Sequence, residues 1–458
     1  MDRVSRRAVM AGAAALAAFP ARAQGRQFVG SDIGGLKRVL VHSLAPNDTS
    51  FDRLSDGLLP GVDSDVAAAA VQHAGLIALL KAQGAQPIEL ADALTGAIEA
   101  TRGSGVFAAW LEAAFPLLGA DPGKVTAATI LGRDPAVRFR LGSDGEYRHL
   151  ADETNSTIWT RDSAFMAPAG LVICRSVSTR RRRENMLLRF VYAHSPLLRD
   201  FPIAFDAVEE GIGLEGGDAM IVDKDTLFLG HGNRTDPRMA PILARRLNMD
   251  VLAVQTVKQD FIRPSAPGVK IPIAELRILL LHLDTYFTHV GPKHALCVPY
   301  LLEKAHAEDN PLARFIRGAR AQSMLDPEDA EKALALLKDF GRVKLYRRGT
   351  GKTEDLGDMK LVDYLRGQGY RFTFVGGKRP AGDAAAFAHF MEVTYPELRR
   401  QASNVVQATP GRVLAYAGNP ATAAALAVDG VVVDTFPARD LWQWHGGPHC
   451  LTQPLERF

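Results

Sequence analysis

The stretch Ala219-Met220-Ile221-Val222-Asp223-Lys224-Asp225-Thr226-Leu227-Phe228-Leu229-Gly230 sets two short β-favouring apolar runs on either side of an Asp-Lys-Asp turn. Such a pair reads as a hairpin. A helix is then expected near residues 237–247, and Val251-Leu252-Ala253-Val254 reads as a third strand. One short apolar run is ambiguous on its own, but this β-turn-β-helix-β unit recurs. A first copy runs from Leu36-Lys37-Arg38-Val39-Leu40-Val41 through a helix near 65–81 to Gln86-Pro87-Ile88-Glu89-Leu90. A second has strands at 163–168 and 171–174 and a helix near 182–193. A fourth has strands at 282–289 and 295–299 around Gly291-Pro292-Lys293. A fifth has strands at 405–408 and 413–416, a helix near 420–428 and a strand at 430–434. Strands alternating with helices predict an α/β fold. A cyclic array of such units gathers loops from different units around one centre.

Two segments interrupt the pattern. Residues 91–150 read as a helical insertion after the first unit, with helices expected at 93–100, 106–117 and 123–131. Residues 301–400 read as a long link with helices at 329–340 and 358–367, and the polar, Gly-rich run 347–354 is expected to be a mobile loop.

The 458 residues are 47% hydrophobic and 23% charged, an ordinary globular balance. The net charge of +3 is carried by the first 23 residues, where Arg3, Arg6, Arg7 and Arg22 stand against Asp2. The rest is neutral, so no electrostatic argument points to nucleic acid or to a membrane surface. Ser5-Arg6-Arg7, an Ala-rich run over 8–18 and Ala21-Arg22-Ala23 predict a cleaved twin-arginine export signal over 1–23. The apolar run is too short to span a bilayer. The mature chain is thus expected to be periplasmic or secreted and to comprise one catalytic domain over 24–458, without a membrane span. A homo-oligomer is compatible with the sequence.

Of three cysteines, Cys174 and Cys297 lie in buried-strand patterns and read as core residues. Cys450 lies in Gly446-Gly447-Pro448-His449-Cys450-Leu451-Thr452, a loop. No metal-type Cys/His spacing occurs, so no metal is expected. Three further segments carry polar groups beside strands: Thr160-Arg161-Asp162, Leu214-Glu215-Gly216-Gly217-Asp218 and His282-Leu283-Asp284-Thr285. The alternation of His282 and Asp284 is expected to aim both side chains to one side of a strand. Each segment alone has a structural reading: an ion pair for Asp162, a polar turn at 215–218, a satisfied strand histidine at 282, an inert thiol at 450. Together they hold a nucleophile, a general acid/base and several carboxylates. Carboxylates grip the planar fork of a guanidinium through paired hydrogen bonds. A thiolate can attack its carbon, and a histidine can protonate the departing amine.

These motifs, in this order, resemble the arginine deiminase family of guanidino-group-modifying enzymes, over nearly all of the mature chain. The resemblance implies a five-bladed α/β propeller and hydrolysis of arginine to citrulline and ammonia, with no metal or organic cofactor. It implies that Cys450 is the nucleophile and His282 the general acid/base. Asp162, Glu215 and Asp284 would hold the guanidinium or orient the histidine. Arg234, Arg180 or Arg181, Asn155, Asp218 and Gly447 fall to the substrate-binding side. The chain departs from the family pattern at Leu58-Leu59-Pro60-Gly61-Val62, at Ser156, and in Leu441-Trp442-Gln443-Trp444-His445, where family members carry an acidic stretch, an asparagine and an Arg/Gly-rich loop. The two tryptophans are suited to close over a larger or less polar substrate. An amidinotransferase, a hydrolase of another guanidine, or a non-catalytic propeller binding a cation are the competing readings.

Overall fold

The computed structural model describes residues 28–45, 65–115, 121–133, 139–141, 147–149, 157–178, 181–232, 234–257 and 279–458. The expected hairpin at 219–230 is present: Ala219–Asp223 pairs antiparallel with Thr226–His231, Ala219 facing Leu229. Helix Met239–Arg246 carries the chain back, and Asp250–Gln255 joins parallel to Thr226–His231. The helix buries Met239, Ala240, Leu243 and Ala244 and points Arg245 and Arg246 outward, the spacing of an amphipathic helix on a sheet.

Four other sheets among the described residues repeat this connectivity, an antiparallel pair followed by a parallel one. They are Ala164–Ala167, Gly170–Ile173 and Ile203–Asp206; Phe287–Gly291, His294–Cys297 and Arg371–Phe374; and Val406–Thr409, Arg412–Tyr416 and Val432–Phe436. In the last sheet the C-terminal strand Gln453–Arg457 pairs antiparallel with Leu36–Val41, which runs parallel to Gln86–Glu89. The first unit is thus completed by the end of the chain. A two-bond fork from Arg38 to Glu456 (2.8 and 2.9 Å) locks it. A Cβ on Gly34 would sit 2.9 Å from the carbonyl carbon of Phe458, so residues 34 and 458 meet where only glycine fits.

Several expectations need correction. The insertion is helical over Leu90–Arg102 and Val106–Ala114, but Ala127–Ile130 is one turn, and the segment ends in a hairpin of Phe139–Leu141 with Tyr147–His149. The run 347–354 is the turn between paired strands Arg342–Tyr346 and Thr353–Lys360, pinned by Arg347 to Asp250 and Glu354 and by Arg348 to Asp225. Lys360 ends that strand, so the helix starts at Leu361 rather than 358. The link also holds Arg371–Phe374, the closing strand of the fourth unit. Leu283–Thr285 is a tight 3₁₀ turn, not part of a strand. No helix of the described residues is long and apolar enough to cross a membrane.

Among the described residues, three apolar clusters fill the interior. One joins the insertion to the second and third units, one lies beneath the third, fourth and fifth, and one packs the first and fifth units around Cys450. The polar segments all occupy one kind of place: the few residues leading into the first strand of a unit. Asp162 precedes Ala164–Ala167, Glu215 precedes Ala219–Asp223, His282 precedes Phe287–Gly291 and Cys450 precedes Gln453–Arg457.

Candidate active site

Each polar segment makes a short turn before its strand begins, and close backbone packing fixes the turns. Gly216 lies so near Arg161 that a Cβ would be 2.0 Å from its carbonyl oxygen, and one on Gly217 would lie 2.6 Å from Nδ1 of His282. Glycine at both positions lets the Glu215 turn nest against the Asp162 and His282 turns. Asp218 Oδ1 accepts the Leu283 N–H at 3.0 Å, which holds the His282 turn in place. One oxygen of Asp218 is thus engaged with backbone. Burial pushes its carboxyl up to about 6, against His282 and the hydrogen bonds from Thr235 and Leu283.

His282 stands between two carboxylates. Its Nε2 is 2.9 Å from Glu215 Oε2 and its Nδ1 is 3.6 Å from Asp162 Oδ1. Burial alone would lower its pKa, but the charge of Asp162 and the hydrogen bond and charge of Glu215, with Asp218, raise it to about 9. Glu215 is fully buried, yet Arg234, His282 and Arg181 hold its pKa well below the usual carboxylate range.

The thiol of Cys450 lies in a second group. Its sulfur is 3.4 Å from Asp284 Oδ2 and 3.1 Å from Asn404 Nδ2. The same Asp284 oxygen is 2.8 Å from Nδ1 of His449. Burial, then the charges of Asp284 and Asp162, push the thiol far above its ordinary pKa, while hydrogen bonds from Gly447 and Asn404 oppose the shift. Asp162 stands 3.6 Å from the imidazole and its charge bears on the sulfur as well, so the two groups belong to one site. Asp284 is held below its ordinary pKa by His449, His282 and Arg161 despite burial.

The expected residues converge with these exceptions. Arg180 and Asn155 lie outside the described residues, as do Ser156 and Leu58-Leu59-Pro60-Gly61-Val62. Arg181 reaches the site: its Nη1 is 2.8 Å from Asp162 Oδ2 and 3.7 Å from Glu215 Oε2. Arg234 lies 3.7 Å from Glu215 Oε1. Gly447 packs against Asn404, 2.5 Å from where its own Cβ would be. Trp444 is buried and Trp442 half-buried, both against the cluster that contains Cys450. Sequence reasoning passed over several residues that touch this machinery, among them Asn404, His449 and Ser176, whose hydroxyl donates to Glu215 Oε1. His449 adjoins Cys450 in the quoted motif; Asn404 could have been found by asking what the fifth unit places before its first strand.

Asp162, Glu215 and His282 also bring ligand atoms within 4.8 Å of one another, a set able to hold a metal ion. Two guanidinium groups already compensate these carboxylates, so a dication would meet repulsion from Arg181 and Arg234.

The model of the family described as arginine deiminase matches residues 125–340 and 391–457, more than half of the sequence. The chain belongs to the arginine deiminase family. It is accordingly a hydrolase of C–N bonds in amidine groups. Its relatives include the arginine deiminases of Metamycoplasma hominis, 24% identical over 93% of this chain and 95% of the relative, and of Rhodococcus erythropolis, 25% identical over 94% and 97%. Among solved structures, a mutant of DDAH from Pseudomonas aeruginosa complexed with citrulline is similar at a TM-score of 0.46 and 15% identity, over 93% of this chain and all (100%) of that one.

Proposed function

We propose that this arginine deiminase family member converts free L-arginine and water to citrulline and ammonia through a covalent amidino intermediate on Cys450. The observation that carries the reading is the meeting of Cys450 and His282 in one buried set of carboxylates. At rest the thiol is protonated, because burial and two carboxylates disfavour the thiolate. A guanidinium bound between Asp162 and Asp284 adds a positive charge beside the sulfur and reverses that effect. The thiol proton leaves to solvent and Sγ attacks the guanidinium carbon, forming a C–S bond. His282, protonated near neutral pH, gives its proton to one terminal nitrogen, and the C–N bond breaks to release ammonia. The neutral imidazole then takes a proton from water, hydroxide adds to the same carbon, and the C–S bond breaks to regenerate the thiol and release the ureido product.

At the other end of the substrate, Arg234 is suited to the α-carboxylate, together with Arg181 or Arg180 and Asn155. In this structure Arg234 lies 3.7 Å from Glu215, and Arg181 pairs with Asp162 and Glu184 and lies 3.7 Å from Glu215, so both leave these partners to meet the substrate's carboxylate. The pairing of the last strand with the first unit supports closure of the five units into a five-bladed propeller. The Arg6-Arg7 segment supports export and cleavage near Gln24; recovery of a chain starting there from the periplasm tests this, and an unprocessed cytoplasmic chain opposes it. The functional test is a product assay with arginine and a panel of other guanidines. Citrulline and ammonia in equal amounts support the proposal. Ornithine with transfer of the amidine to an added amine, or turnover only of a modified guanidine, contradicts it.

A further inference from the structure

Four of the five units place a site residue just ahead of their first strand: Asp162, Glu215, His282 and Cys450. The fifth unit places Asn404 there, ahead of Val406–Thr409. Asn404 is fully buried. Its side-chain amide is completely engaged: Oδ1 accepts the backbone N–H of Cys450 at 3.2 Å, and Nδ2 donates to the Asp284 carbonyl at 3.0 Å and to Cys450 Sγ at 3.1 Å. A backbone N–H can only donate and a carbonyl can only accept, so these two partners fix which way the amide faces. The face left over, a second N–H on Nδ2, has the sulfur as its acceptor.

We propose that Asn404 is a further catalytic residue of this site, clamping Cys450 by its backbone and donating a hydrogen bond that stabilises the attacking thiolate. The two neighbours of the sulfur pull in opposite directions. Asp284 Oδ2, 3.4 Å away, accepts the thiol proton and opposes the thiolate; the Asn404 N–H can stabilise only the thiolate or a lone pair. Gly447 adds a backbone hydrogen bond on the same side as Asn404. By anchoring the Asp284 carbonyl and the Cys450 N–H at once, one side chain sets the spacing between carboxylate and sulfur. Gly447 is excluded from bearing a side chain by this contact, since its Cβ would meet Asn404 Oδ1 at 2.5 Å. A purely structural asparagine would satisfy backbone groups alone; this one spends a donor on the reacting atom.

This inference rests on Cys450 as the nucleophile, and the test separates the two. The full-length mature chain is treated with iodoacetamide across a pH series, and alkylation of the Cys450 peptide is followed by mass spectrometry for wild type, Asn404→Ala and Asn404→Asp. Steady-state activity and thermal unfolding are measured on the same samples. Asn404→Asp keeps the acceptor for the Cys450 N–H but removes the amide donor and adds a negative charge. The pH midpoint of alkylation is expected to rise by about one unit or more in both variants, and kcat/KM to fall about 10- to 100-fold, the effect of losing a hydrogen bond to a charged group. Asn404→Asp is expected to be the worse of the two in kcat and to unfold at a lower temperature than wild type, because its carboxylate faces the Asp284 carbonyl in a buried place. An unchanged alkylation midpoint in whichever variant remains folded overturns the proposal, even if activity falls. Should Cys450→Ala retain activity, the nucleophile assignment itself fails, a result distinct from the Asn404 outcome.

Discussion

Two buried histidines flank the site and their surroundings drive them in opposite directions. His282 touches Glu215 and Asp162 and is pushed up to about 9. His449 touches one carboxylate, Asp284, and feels the Arg161 guanidinium as well; burial and that charge lower its pKa. The same side chain is therefore a proton donor on one side of the pocket and a neutral hydrogen-bonding prop on the other. The number and sign of near neighbours decide which histidine can feed a proton to a departing amine, since burial acts alike on both. His449 is then a positioning residue: its Nδ1–H holds the Asp284 carboxylate beside the sulfur.

The largest effect is expected from Cys450→Ala, which removes the bond-forming atom and should lower kcat by at least about 10³-fold in a citrulline assay. His282→Asn should lower kcat about 10²- to 10⁴-fold, the range for loss of a general acid/base, with little change in KM. His449→Asn should cost only about tenfold, because asparagine can still donate to Asp284. Equal losses at the two histidines would break the distinction. The pH profile sharpens it: activity should fall above about pH 9 as His282 loses its proton, and the alkaline limb should be unmoved in His449→Asn. The smallest effect is on stability. His282 has a folded pKa near 9, above its ordinary 6.5, so its stabilisation is fully present below about pH 6.5 and is lost as pH rises through 9. Thermal unfolding between those limits should show a falling Tm in wild type and a shallower fall in His282→Asn.

The local parts of this molecule were legible because they obey short-range rules. The hairpin at 219–230 and the helix at 420–428 follow from turn residues and apolar spacing, and the structure has them close to the expected bounds. The outer strand of the first unit was not legible, because Gln453–Arg457 finds its partner at the other end of the chain and nothing local marks it. The closing strand Arg371–Phe374 was hidden by a long insertion for the same reason. The reacting residues stood out by chemical type, in loops where polar groups need a reason to be. Asn404 did not: an asparagine ahead of a strand looks like any turn, and its meaning comes from the sulfur 3.1 Å away. The recognition end is the least readable part, since Leu441-Trp442-Gln443-Trp444-His445 departs from the family pattern and packs its tryptophans inward.

The central claim is that Cys450 forms a bond to the guanidinium carbon. Intact-protein mass spectrometry of the mature chain, acid-quenched during turnover of arginine, tests it directly. The account predicts a transient adduct that maps to Cys450, is absent in Cys450→Ala, and accompanies citrulline and ammonia. Turnover of arginine with no adduct at any quench time, and with activity retained in Cys450→Ala, would contradict it.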